Sequence, residues 1–303
     1  MLAAVGLVVG CGRTGRQGPE GSLRAIVSIR PQAWLVQQIG GKHVAVQTLV
    51  QPGESPVTYQ PTDAEISRVM AADVYFRIGV PFERAPWSQA IQSAKTLQVV
   101  NTREGVPLRR MGEEHSGHEH EHDHQHDHAG HDPHIWLSPP LLKIQAQTIG
   151  SHLQKLDPAH ADVYQRNLES LKTRLDEADT AIRGKLAPFS GRAFLIFHPA
   201  WGYFADEYGL RQVAIEKEGK EPTDREMTAL QTLAREEEIN VVFVQPQISG
   251  KSAEAIADGI DGRVEILDPL AEDVLAEIRR AAEAIADSYQ PAEAQPSNHK
   301  AST

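Results

Sequence analysis

The sequence predicts an α/β protein of two similar lobes, each with a four-stranded parallel sheet flanked by helices, joined by one long rigid helix. Three observations carry this expectation. From residue 24 onward, short β-branched runs alternate with helical patterns, the signature of βα units on a parallel sheet. The set of four strands occurs twice, and between the sets an apolar stripe recurs at steps of four and three. A length of 303 residues suits two domains of ordinary size, and 40% hydrophobic content can supply a core for each.

Residues 1–23 read as a lipoprotein signal and tether. The run MLAAVGLVVG is too short to span a membrane and ends in small residues beside Cys11, as a secretory signal core ends. Val8-Val9-Gly10-Cys11 resembles the bacterial lipobox, which implies lipidation of Cys11 and a membrane-anchored, periplasmic or cell-surface protein. No Lys or Arg precedes the apolar run, so the true start can lie upstream. Cys11 is the only cysteine, which excludes an intramolecular disulfide and a thiolate metal cluster.

The N-terminal lobe is expected over 24–156, with strands at 24–29, 44–50, 73–78 and 97–100. Between them, PQAWLVQQIGG and PTDAEISRVMAA read as helices, the second with Thr62 and Asp63 as candidate caps. A linking helix follows over 157–187, where Tyr164, Leu168, Leu171, Leu175, Ala178 and Ile182 form the stripe. Asp157 is placed to cap it, Pro158 suits its first turn and Pro188 lies just past its end. About 30 residues at ~1.5 Å each make a rod of roughly 45 Å, a poor hinge, so limited lobe movement is expected. The C-terminal lobe, 188–288, repeats the plan with strands at 193–197, 211–215, 240–244 and 263–267. The tail 289–303 has the composition of a disordered end.

A net charge of −11, from 41 acidic against 30 basic residues, argues against a nucleic-acid partner. It is compatible with cation handling. Residues 115–134, HSGHEHEHDHQHDHAGHDPH, hold nine histidines in twenty positions. Clustered neutral imidazoles offer many weak, exchangeable metal sites. With almost nothing apolar to bury, a loop over 113–131 cannot hold rigid geometry. His115, His118, His120, His122, His124, His126, His128 and His131 are therefore read as accessory metal ligands.

A tight site needs ligands on rigid elements, and in open α/β sheets ligands gather beyond the carboxyl ends of strands. His198 follows AFLIF directly and Asp268 follows RVEIL directly. His134 lies in DPHIWLSPP, where Ser138 can cap a helix begun by Pro139 and so anchor the loop behind it. These three are the candidate metal residues.

The stretches PGESPVTYQPTDAEI, AADVYFRIG, the acidic histidine-rich loop, DPHIWLSPP, FHPAWGYFADEYGL, GKEPTDREM and LDPL together resemble the solute-binding lipoproteins of zinc and manganese ABC importers, cluster A-I. The zinc-uptake branch fits best. The resemblance spans residues 24 to 285 and implies two four-stranded βα lobes bridged by a long helix, with one metal ion between them. It also implies delivery to an ABC transporter permease in the membrane, powered by a cytoplasmic ATPase, by a binding protein expected to be monomeric. Residue by residue it carries over His134, His198 and Asp268. The manganese branch typically has glutamate where His198 stands, so the resemblance favours Zn2+ over Mn2+ or another divalent metal.

One position departs. The family places a histidine in a segment like SPHTYEP, and here Val57 stands in its place. Zinc prefers four tetrahedral ligands, so the fourth falls to a water, a histidine from 115–131, or Gln60 or Glu54. Binding weaker than at a four-ligand site follows unless a loop histidine compensates.

Two other functions fit parts of the pattern. An open three-ligand zinc site is also the recipe for a hydrolase, but no HExxH helix is present, and Glu207 in FADEYG is the nearest candidate base. A surface metal buffer or adhesin would use the histidine tract itself. The expectation adopted is a non-enzymatic metal carrier whose affinity falls with pH near ~6.5, where imidazoles protonate.

Overall fold

The computed structural model describes residues 22–111, 130–217, 219–247 and 251–290. Cys11 and its leader, the tract histidines from His115 to His128 and the tail beyond residue 290 lie outside the described residues.

The N-terminal lobe runs β1 (Leu23–Val27), α1 (Arg30–Gly40), β2 (Val44–Thr48), α2 (Asp63–Ala71), β3 (Val74–Arg77), α3 (Trp87–Ala90) and β4 (Gln98–Asn101). Two long helices follow, α4 (Pro139–Leu156) and α5 (Ala161–Leu186). The C-terminal lobe continues with β5 (Ala193–Ile196), α6 (Gly202–Tyr208), β6 (Arg211–Ala214), α7 (Asp224–Glu236), β7 (Val241–Val244), α8 (Lys251–Asp258), β8 (Arg263–Ile266) and α9 (Val274–Ser288). The sheets have matching orders, β2-β1-β3-β4 and β6-β5-β7-β8, with every pairing parallel. Each of the eight expected strands is present.

Local chemistry accounts for the helix boundaries. Thr62 accepts from the Glu65 amide while the Glu65 carboxylate takes the Thr62 amide, closing a capping box on α2. Thr223 and Glu226 repeat the device on α7. Ser138 caps α4, with Pro139 and Pro140 in its first turn. At the end of α6, Gly209 adopts φ 69°, the left-handed conformation that glycine takes without strain.

The linking segment differs from one continuous helix capped by Asp157. A 3-10 turn over Pro158–His160 precedes α5, and another, Ala187–Phe189, contains Pro188. The Asp157 carboxylate is instead taken by His160 Nδ1 at 2.6 Å and the Tyr164 hydroxyl at 2.7 Å, which leaves no side-chain cap on the first turn of α5. The apolar stripe behaves as read. Tyr164, Leu168, Leu171, Leu175, Ala178 and Ile182 are all buried, and α5 packs on α1, α4 and α9.

In consequence one apolar cluster runs through both lobes. Strand alternation assigns the C-terminal sheet to two cores, because successive side chains point to opposite faces. Phe194, Ile196, Val241 and Phe243 join the shared cluster. Ala193, Leu195, Val242 and Val244 face α7 and α8. Among the described residues no helix is long and apolar enough to cross a membrane.

Candidate metal site

His134 ends the stretch that leads into a buried 3-10 turn, Ile135–Leu137, directly before α4. Its ring is held from behind: Asp132 Oδ1 accepts from His134 Nδ1 at 2.7 Å and from the His134 amide at 3.0 Å. Asp132 is fully buried, and its other oxygen takes Arg109 Nη1 at 3.0 Å. Burial acts to raise the Asp132 carboxyl, but the His134 and Arg109 contacts outweigh it and hold the group below the usual range. Burial pushes the His134 imidazole below its ordinary value against the opposing pull of Asp132. His134 is therefore neutral near pH 7. A carboxylate has no proton to give, so Nδ1 carries the proton and Nε2 presents a lone pair.

His198 lies just past β5 and is held in the same way. Its Nδ1 hydrogen-bonds the carboxylate of Glu216, which lies just past the neighbouring strand β6. Two parallel strands thus deliver an imidazole and its orienting acid to one sheet edge. The two rings meet across the cleft, with Nε2 to Nε2 at 3.3 Å and planes inclined by 78°.

Asp268, beyond β8, sits in a third anchored position. Its Oδ1 accepts from Gln247 Nε2 at 3.1 Å and the Leu270 amide at 3.0 Å. Its Oδ2 faces Arg30 Nη2 at 3.4 Å. Trp136 Nε1 donates to the Pro269 carbonyl at 2.6 Å, tying the turn behind His134 to the loop that carries Asp268. The structure thus brings His134 and His198 together, whereas Asp268 is engaged by Arg30. Among the described residues no three His, Cys, Asp or Glu groups are gathered closely enough to hold one ion.

The remaining candidates divide. Val57 is 57% exposed, Gln60 is exposed and Glu54 accepts from the Gln51 amide at 2.7 Å. His131 is exposed and pairs in an isolated antiparallel bridge with Arg110. That bridge, with the Met111 amide on the Gly130 carbonyl, joins the two chain ends flanking 112–129 beside Asp132. Glu207 is paired with Arg183 of α5, an engagement unsuited to a free general base.

Sequence reasoning missed Asp132, Arg109, Glu216 and Arg30. The rule that selected His198, the first residue past a buried strand, also selects Arg30 after RAIVSI and Glu216 after RQVAI. The rule does not separate a ligand from the residues that support or oppose one. Arg109 leaves a different trace: it bridges Asp132 and, through Nε at 2.9 Å, Asp206 on α6. A Cβ on Gly202 would lie 1.4 Å from Arg109 Nη1, so the guanidinium requires glycine there.

The family described as zinc-uptake complex component A, periplasmic (ZnuA), matches residues 26–289. The high-affinity zinc uptake system protein ZnuA of Bacillus subtilis is 30% identical over 87% of this chain and 85% of its own length. The manganese-binding lipoprotein MntA of the same organism is 26% identical over 86% of this chain and 83% of its own. A crystal structure of ZnuA superposes with a TM-score of 0.79 at 36% identity, covering 88% of this chain and 99% of the other. A family match across nearly the whole folded part, joined to a cleft with two opposed imidazoles, leads to one conclusion: the chain belongs to the ZnuA family of periplasmic zinc-uptake components.

Proposed function

We propose that this chain captures a zinc ion outside the cytoplasmic membrane, holds it between its lobes and passes it to the permease of an ABC importer. His134 and His198 supply the first two ligands and Asp268 the third. The protein acts as a monomer, tethered by a lipid on Cys11, with the histidine tract as an accessory that gathers ions.

The reading is carried by the 3.3 Å separation of the two Nε2 atoms. Zn–N bonds of ~2.0–2.1 Å in a tetrahedron place two ligand nitrogens roughly 3.3–3.4 Å apart. Two imidazoles at that spacing, each with its other ring nitrogen bonded to a carboxylate, form an arrangement that favours a cation between them. Paired imidazoles favour a borderline metal such as zinc, and the relative named for zinc uptake supports that preference over manganese.

Elemental analysis of protein purified without added metal, with and without residues 113–129, tests the proposal. The deletion stops short of Gly130 and His131, so the bridge beside Asp132 is retained. One tight equivalent of zinc is expected in both forms, and its loss on His198→Ala in either. Tight zinc that disappears with the tract but survives His198→Ala would make the protein a metal buffer instead.

A further inference from the structure

Arg30 is the first residue of α1 and belongs to the N-terminal lobe. Its guanidinium reaches across the cleft to Asp268 Oδ2 at 3.4 Å, with the two side chains 22% and 21% exposed. No acidic residue occupies the first turn of α1, so the guanidinium stands at the positive pole of a helix without a local counter-ion. Asp268 fills that role from the opposite lobe. The carboxylate is oriented for a cation in any case, because Oδ1 is fixed by Gln247 and by the Leu270 amide, which leaves Oδ2 pointing to Arg30.

We propose that Arg30 is a built-in competitor of the metal for Asp268. Its guanidinium neutralises Oδ2, and an incoming ion takes that oxygen only by displacing it. Displacement strands a positive charge against the helix terminus, which opposes binding and assists departure. A carrier must release its cargo as well as hold it, and this residue weakens the third ligand bond without altering the imidazole pair. Among the described residues His134 and His198 are instead backed at their outer nitrogens by carboxylates that support metal binding. The inference rests on the proposed role of Asp268 as a ligand.

The test is a double-mutant cycle on the full chain, with zinc affinity and release rate read by competition with a chromogenic chelator and folding checked by thermal melts. Arg30→Gln is expected to tighten binding about two- to fivefold and slow release by a similar factor, the size of a partly screened ion pair. Arg30→Lys, which keeps the charge, should remain near the parent. In an Asp268→Asn background, itself weaker than the parent, Arg30→Gln should change nothing. Competition is overturned if Arg30→Gln fails to tighten binding while Asp268→Asn weakens it, or if the gain persists in the Asp268→Asn background as simple charge repulsion would have it. Affinity untouched by Asp268→Asn alone would instead remove the ligand reading on which the inference stands.

Discussion

Asp132 Oδ1 holds both the ring Nδ1 and the backbone amide of His134, at 2.7 and 3.0 Å. One buried oxygen therefore fixes the imidazole's tautomer and its direction together. Through Arg109 the same carboxylate is bound to Asp206 of the other lobe.

Asp132→Asn should accordingly weaken zinc binding by about 10–100-fold with the fold retained, the usual cost of losing an acid behind a ligating histidine. An amide is nearly isosteric but can turn its NH2 toward the ring and impose the wrong tautomer. Calorimetry on this variant checks it, and an unchanged affinity would reduce Asp132 to a structural role.

The acid dependence has a definite sign. Burial lowers His134 below its ordinary value of 6.5, so the unfolded chain binds its proton at higher pH than the native one. Stability from this group is complete above the unfolded value and falls as pH drops below 6.5 toward the native value. Zinc at this ligand should likewise resist protons further into acid than an unperturbed imidazole would. A zinc titration series from pH 7.5 to 5 reads the midpoint; one lying above 6.5 would contradict a neutral buried imidazole.

Val57→His should tighten binding, on the order of tenfold, by offering zinc a fourth ligand where valine offers none. The site is exposed, so stability should stay within about 0.5 kcal/mol. Calorimetry that detects no gain would mean the fourth position is already filled.

Leu175, fully buried in the middle of α5, should cost about 2–5 kcal/mol when replaced by alanine. Because its cluster extends into both lobes, urea unfolding followed by probes in either lobe should shift together. Separate transitions would indicate two independent folding units.

Much of this architecture was legible in the chain. The expected strand runs match eight strands, most clearly AFLI and VVFV, which are buried throughout as central strands of sheets covered on both faces are. The stripe from Tyr164 to Ile182 marked the linking helix because a 3.6-residue repeat survives translation into burial. Its first turn was misread, since the Asp157 carboxylate serves His160 and Tyr164, partners set by tertiary geometry. At the site, the strand-end rule reached His198 and Asp268 but could not indicate that Arg30 occupies Asp268, because an ion pair between residues 30 and 268 leaves no local trace. The pairing of Glu216 with His198 likewise depends on β5 and β6 being neighbours, which sequence order alone does not dictate.

The leucines of α5 have a mechanical consequence. A seam that includes α1, α4, α5 and α9 fuses the two sheets into one body, and swinging the halves apart would wet that seam at about 25 cal/mol per Å2 of apolar surface. If the proposed function holds, cargo exchange in such a molecule calls for motions the size of a single side chain rather than a hinge between the halves.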